Sequence, residues 1–135
     1  MRPPQAQVRD ERGVMALEFL LVISMLIVVF LLMLQYAVRA HAQRIATAAA
    51  QEGLATASSY DGTASEGEET AIQYLTSIGP GLASSHVSAT RSATTATVTV
   101  IGDVDQLIPF LGVTVRVHVE GPVERFVTAP GQAPP

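Results

Sequence analysis

A run of apolar residues near the N-terminus constrains this chain more than any other feature. Val14 to Leu34 is 21 residues long, with Glu18 as its one charged residue and Ser24 as its one other polar residue. As an α-helix it extends for about 32 Å, close to the hydrocarbon thickness of a bilayer. A chain of 135 residues is too small to enclose such a helix in its own core. We therefore predict a transmembrane helix over residues 14–35.

The charges that flank this run predict its orientation. Three arginines precede it and two follow it: Arg2, Arg9, Arg12, Arg39 and Arg44. The positive-inside rule then favours a cytoplasmic N-terminus and an extracytoplasmic C-terminal part. A cleaved secretory signal fits less well, because the run is longer than an h-region and continues as a helix.

The segment after the apolar run is rich in Ala, a strong helix former. It carries a narrow apolar stripe at spacings of three and four, formed by Val38, Ala42, Ile45, Ala49 and Gly53. We predict that residues 36–58 continue the helix outside the membrane, giving one helix of about 40 residues. Its stripe is expected to pack on a small domain.

The remaining sequence predicts a small α+β domain over residues 59–127. A short helix is expected to begin near Ser65 and to cover residues 70–78, with Ile72, Leu75 and Ile78 facing inward and "GPG" ending it. The segments "HVSATR", "TATVTVI" and "VTVRVHVE" alternate with period two and predict an antiparallel meander of three strands, to which "VERFV" adds a possible fourth. The apolar face of this sheet is expected to pack on the outer half of the long helix.

Both ends of the chain are expected to lack regular structure. Residues 1–13 are polar and include Pro3 and Pro4, and residues 128–135 ("TAPGQAPP") are rich in Pro.

Composition excludes several classes of function. The absence of Cys excludes a disulfide scaffold and Cys-ligated zinc, and a net charge of −4 without a basic patch gives no support to nucleic-acid binding. His41, His86 and His118 are scattered, and no nucleophile elbow or phosphate loop is present. We expect no enzyme activity, no cofactor and no small-molecule substrate.

Acidic residues in two loops are the one candidate for metal binding. They are Asp61, Glu66, Glu68, Glu69, Asp103 and Asp105. Neither group has the spacing of an EF-hand, so we interpret them as solvated and predict no metal site.

Glu18 allows two interpretations. A carboxylate at the centre of a membrane helix costs about 2.5–3.5 kcal/mol, and less near a helix end. The side chain can extend to the interface without any function, or it can be retained for a cation within the membrane or an assembly.

The residues around Glu18 favour the second interpretation. Arg12-Gly13, an apolar run and Glu five places after the Gly resemble the class III signal of type IV pilin-like proteins. This resemblance implies that a prepilin peptidase removes residues 1–13 by cutting after Gly13, so that Val14 becomes the N-terminus. The Val14 amine of a neighbouring subunit would then pair with Glu18.

A closer resemblance covers residues 12–57. Arg12-Gly13, Glu18-Phe19 and the Ala-rich segment ending in Ala49-Ala50-Gln51-Glu52-Gly53 resemble the TadE-like (TadE/TadF) pseudopilins of the tight-adherence, or Flp, pilus. The similarity continues weakly through residues 108–112, "IPFLG". The chain departs from the family at Ser24, near where many members have Pro, and at Val14, where pilin-like proteins often have Phe or Met.

The resemblance implies a minor pilin or pseudopilin of the inner membrane, with a pilin-like α+β fold. Its partners would be the prepilin peptidase, other pilin-like subunits and the Tad assembly machinery. Helix packing would use the small residues Ala42, Ile45, Ala49 and Gly53. An uncleaved single-pass accessory protein with a binding domain, and a membrane-bound enzyme, remain the alternatives.

Overall fold

One long helix dominates the fold. A computed structural model of the chain describes residues 7–78 and 81–125, with residues 7–10 described by backbone alone. Helix α1 runs from Gln7 to Ser58, 52 residues, and extends for about 78 Å. The predicted transmembrane segment and its outer continuation are therefore one unbroken helix.

The N-terminal part of α1 corrects the prediction that residues 1–13 lack structure. Residues 7–13 are helical, so α1 is longer than the 40 residues expected. Once the apolar helix exists, each added residue gains a hydrogen bond without a new nucleation cost. Pro3 and Pro4 lie outside the described residues.

The first half of α1 makes no contribution to the core. Every side chain from Glu11 to Leu34 is exposed. Within the described part of the chain, α1 is the one helix long and apolar enough to cross a membrane. A continuous apolar surface of this length needs a cover, and the rest of the described chain does not supply one.

The second half of α1 carries the domain. Helix α2 spans Ala64–Ile78, and strands β1, β2 and β3 span Ala83–Arg91, Thr95–Asp103 and Thr114–Pro122. The strands form an antiparallel meander in the order β1-β2-β3. This confirms the α+β prediction with a three-stranded sheet.

The core lies between one face of the sheet and the outer half of α1, as the alternating valines predict. Val98 and Val100 of β2 and Val115 and Val117 of β3 are buried, and Arg116 points to the exposed face. The helix contributes one isoleucine and four small residues to the same cluster: Ile45, Ala42, Ala46, Ala49 and Ala50. Small side chains on α1 allow the sheet to approach the helix backbone closely.

The predicted inward face of α2 is partly wrong. Leu75 is buried, but Ile72 and Ile78 are 43% and 46% exposed. The buried face is instead formed by Gly67, Ala71 and Leu75, at spacings of four. The two helices pack closely because both present small residues at their contact, and the larger isoleucines face outward.

The fourth strand is absent from the described part of "VERFV". Residues 123–125 are not in a strand. Their backbone is paired elsewhere, because Val123 N–H donates to Thr94 O (2.9 Å) and Glu124 N–H donates to Ser58 O (2.9 Å). The other residues of this segment and the "TAPGQAPP" tail lie outside the described residues.

Candidate processing and subunit-pairing site

The predicted processing site lies on an exposed, continuous stretch of α1. Arg12, Gly13, Val14, Glu18 and Phe19 all have exposed side-chain positions. None of them contacts the small domain, whose core draws on α1 only from Ala42 onward, with Val38 packed against it. The site is therefore accessible to other molecules beside the helix.

Packing within the described part of the chain does not require a glycine at position 13. A Cβ placed on Gly13 would have no neighbour within 4 Å. At Gly53, by contrast, a Cβ would lie 2.6 Å from Gly67 O, so close packing requires that glycine. A glycine inside a helix costs about 0.5–1 kcal/mol relative to Ala. The reason for a glycine at position 13 therefore lies outside this chain's own packing.

Glu18 has no hydrogen-bond or ion-pair partner in the part of the chain that the structure describes. Its neighbours Leu17 and Phe19 are exposed apolar residues. Ser24, the other polar residue of the run, is satisfied locally, because its Oγ donates to Leu20 O (2.8 Å). Glu18 is thus the one residue of the apolar run whose polar side-chain atoms have no hydrogen-bond partner in the helix.

Glu18 is separated from the small domain along the helix axis. Gln35, the first buried residue of α1, is 17 residues after Glu18, about 26 Å along an ideal helix. Val14 precedes Glu18 by four residues and lies on the same face. Glu18 is consequently accessible to a neighbouring helix while the domain is packed on α1.

The four residues predicted for helix packing, three of them small, already pack within the chain. Ala42, Ile45, Ala49 and Gly53 are buried against the sheet and α2. Their packing is therefore intramolecular. A different face of the outer helix is open, where an exposed groove of about 450 Å³ is lined by Ala40, Gln43, Arg44, Thr47, Ala48 and Gln51.

Among the six acidic residues, Glu66 and Asp103 have local structural partners. Glu66 Oε2 accepts hydrogen bonds from Thr63 N–H and Thr63 Oγ1 (both 2.9 Å) and so caps α2. Asp103 Oδ1 accepts one from Thr114 Oγ1 (2.9 Å). Within residues 7–78 and 81–125, no three His, Asp or Glu side chains are grouped as metal ligands would be.

The histidines do not converge on a cleft. His41, His86 and His118 are exposed, and His118 Nδ1 lies 3.0 Å from Thr99 Oγ1 across the wet face of the sheet. The groove on α1 and a second concavity of about 260 Å³, lined by Ile45, Leu75, Thr76, Leu82 and Ser85, contain no His or carboxylate. These surfaces give no support to the membrane-bound enzyme.

Sequence reasoning missed two residues that fix the domain on α1. Arg91 of β1 donates to the carbonyl oxygens of Ala57, Ser59 and Tyr60 at the C-terminal end of α1. Gln35 is 4% exposed, and its Oε1 accepts from Leu107 N–H (3.0 Å). The signal for Gln35 was its position as the first polar residue after the apolar run.

This architecture defines a class of protein: one long N-terminal helix, apolar enough to span a membrane in its first half, carries a small α+β domain on its second half. The sequence model of the TadE-like protein family matches residues 13–54. The predicted resemblance is therefore confirmed, and this chain has a TadE-like N-terminal segment.

The family match has clear bounds. It begins at Gly13 and ends one residue after Gly53, so it covers the apolar run and most of the outer helix. Arg12 and the "IPFLG" segment lie outside it. Searches of curated proteins and of solved structures returned no match.

Proposed function

We propose that this protein is a TadE-like minor pilin or pseudopilin that acts in the assembly of a Flp, or tight-adherence, pilus. It would be a single-pass protein of the inner membrane, with its N-terminus in the cytoplasm and its small domain outside. The observation that carries the proposal is the family match, which begins at Gly13 and continues over an apolar helix that the fold leaves entirely exposed.

Processing by a prepilin peptidase explains Gly13. The fold does not require a glycine there, whereas a peptidase that must reach the backbone does benefit from the absence of a side chain. Cleavage after Gly13 removes residues 1–13 and leaves the whole apolar run from Val14 as the membrane anchor.

Pairing between subunits explains Glu18. The new Val14 amine is a cation at the end of an apolar helix, and Glu18 is an unpaired carboxylate near that end. Bringing the two together from adjacent subunits reduces the cost of each charge in a low-dielectric setting. The remaining partners would be the Tad assembly machinery, and the protein would have no active site of its own.

Gly13→Leu tests the processing step. A branched side chain at the cut site should block cleavage, while Leu favours the helix and should not disturb the fold. The measurement is intact mass and N-terminal sequence of protein purified from a host that contains the peptidase. The wild-type product should begin at Val14 and have 122 residues, with a formal charge of −5 instead of −4, because three Arg and two acidic residues are lost.

Ala16→Leu is the matched control. It adds the same side chain three residues after the site, at a position that is also exposed, and should leave cleavage intact. Wild-type protein that still begins at Met1 in the presence of an active peptidase would contradict the proposal.

An uncleaved single-pass accessory protein is the second candidate. The observation in its favour is that α1 passes without a break from Gln7 through Gly13. In that case the N-terminal sequence would begin at Met1, and the small domain would act as a binding module beside the membrane.

A further inference from the structure

The loop between β2 and β3 exposes a cluster of apolar side chains. Within residues 106–112 ("QLIPFLG"), here called the apolar loop, Leu107 is 45% exposed, Leu111 is 41% exposed and Phe110 is fully exposed. The apolar loop contains no charged residue. Nothing in the described part of the chain covers these three side chains.

The apolar loop lies at the membrane-proximal end of the domain. Leu107 N–H donates to Oε1 of Gln35, and Gln35 directly follows Leu34, the last residue of the apolar run. At the other end of β3, Gly121 packs near Leu54. Residues 35 and 54 of α1 are about 28 Å apart along the helix axis. The sheet therefore runs along α1 and directs the apolar loop toward the end of the transmembrane segment.

Phe110 occupies a backbone conformation that the fold alone does not favour. Leu111 N–H donates to Ile108 O (3.3 Å), which closes a turn with Pro109 and Phe110 at its centre. Phe110 has a φ of 73°, in the region that glycine normally supplies. Such a conformation costs about 1–3 kcal/mol for a residue other than glycine. A fully exposed Phe at this position makes no compensating contact within the described chain.

The residues beside the apolar loop match a membrane boundary. Tyr36, next to Gln35, is 71% exposed, and aromatic residues are enriched where a helix leaves the bilayer. Exposed apolar side chains gain free energy by entering the interface. The turn itself carries no charge, and the exposed Asp105 directly before it can stay at the polar surface.

We propose that the apolar loop inserts into the interfacial zone of the bilayer that α1 crosses, on the side of the small domain, with Phe110 as its deepest side chain. The loop is then a second membrane contact that fixes the tilt of the domain on the membrane surface. This inference rests on the proposed membrane-spanning role of α1, and its partner is the lipid surface rather than another protein.

Tryptophan fluorescence tests the insertion, because the natural chain contains no Trp. Phe110→Trp introduces a single probe at a fully exposed position, so the fold should be preserved. The full chain is placed, one copy per disc, in phosphatidylcholine–phosphatidylglycerol nanodiscs. A second set of discs contains lipid with a nitroxide near the top of the acyl chain. The emission maximum and the quenching by nitroxide are measured.

Two further variants calibrate the result. Phe30→Trp lies within the apolar run and reports whether α1 is inserted. Tyr60→Trp is also an exposed aromatic position, two residues beyond the end of α1 and far from the membrane. We expect Phe110→Trp to show blue-shifted emission and strong quenching, with Tyr60→Trp red-shifted and unquenched.

The outcomes separate the loop from the anchor. Quenching of Phe30→Trp without quenching of Phe110→Trp overturns the loop proposal and leaves the membrane anchor intact. If neither Phe30→Trp nor Phe110→Trp is quenched, α1 does not span the bilayer. A blue shift of Phe110→Trp without quenching by lipid nitroxide indicates contact with protein and also overturns the proposal.

Discussion

Glu18 is a charged residue for which the described part of the chain supplies no partner. The apolar run satisfies Ser24 through a backbone carbonyl, but it offers Glu18 no partner among the described residues. Glu18 is exposed and lies about 26 Å along the helix from Gln35, the first buried residue of α1, so domain packing does not provide a partner either. A carboxylate in an apolar membrane helix costs free energy. Reducing that cost requires a cation from another molecule or access to the interface.

Glu18→Gln distinguishes these two possibilities. The substitution preserves size and removes the charge, so cleavage after Gly13 and membrane insertion should remain normal. Crosslinking between subunits and the number of pili should fall sharply in a strain that carries only this variant, because the Val14 amine would lack its partner.

Glu11→Gln is the matched control for that experiment. It removes the same charge seven residues earlier, from the segment that cleavage discards, and should leave crosslinking and pili unchanged. Normal crosslinks and pili in the Glu18→Gln strain would show that Glu18 extends to the interface without a partner.

Individual buried positions were less predictable than the pattern around them. Ile72 was expected in the core because it is large and apolar, yet Gly67 and Ala71 are buried and Ile72 is exposed. The distance between α1 and α2 decides which residues of α2 are buried. That distance depends on Gly53, which lies on the other helix. Gln35 was missed for a similar reason, since its partner Leu107 is 72 residues away.

At the scale of elements, the contact of α1 with α2 depends on two facing glycines. A Cβ on Gly53 would meet Gly67 O at 2.6 Å and Ala71 Cβ at 2.9 Å, and a Cβ on Gly67 would meet Ala57 Cβ at 2.6 Å. Two of these three neighbours are side-chain atoms with no rotamer freedom, and the third is backbone. The helices must therefore separate if either glycine gains a side chain.

Gly53→Ala should destabilise the domain despite the better helix propensity of Ala. Overpacking costs about 1–3 kcal/mol, and the gain in helix propensity is about 0.5–1 kcal/mol. The net loss should lower the Tm of the full chain in detergent, by about 4–8 °C for each kcal/mol.

Gly112→Ala provides the control for this substitution. A Cβ on Gly112 has an ordinary contact, 3.5 Å from Gln106 Nε2, so its Tm should change little. An unchanged or raised Tm for Gly53→Ala would mean that the two helices can move apart without a loss of domain stability.

Elements defined by local sequence were predictable, and connections were not. The valines of β2 and β3 alternate, and their burial follows that alternation. The start of α2 was predicted within one residue, and Thr63 with Glu66 forms a capping box that the sequence "TASE" contains. The apolar loop has no such local signal, because its position depends on the pairing of β2 with β3 and on Gln35.

The whole molecule divides at Gln35 into two parts with different surroundings. Before it, α1 is exposed and apolar; after it, α1 is the support on which the sheet and α2 pack. Arg91 fixes the sheet at the far end of the helix, through the carbonyl groups after Ala57, and Gln35 fixes the apolar loop at the near end. The domain therefore contains its own core and takes none of it from the apolar run.

This division predicts that residues 35–135 fold without the membrane. The fragment retains Val38 and all buried residues of α1 from Ala42 onward, so its core is complete. It should be soluble without detergent and show one cooperative transition on thermal unfolding, followed by circular dichroism.

A fragment of residues 50–135 is the control. It lacks Ala42, Ile45, Ala46 and Ala49, which leaves the valine face of the sheet uncovered. That fragment should aggregate or unfold without cooperativity. If residues 35–135 behave in the same way, the apolar half of α1 is needed for the stability of the domain, and the two parts are not independent.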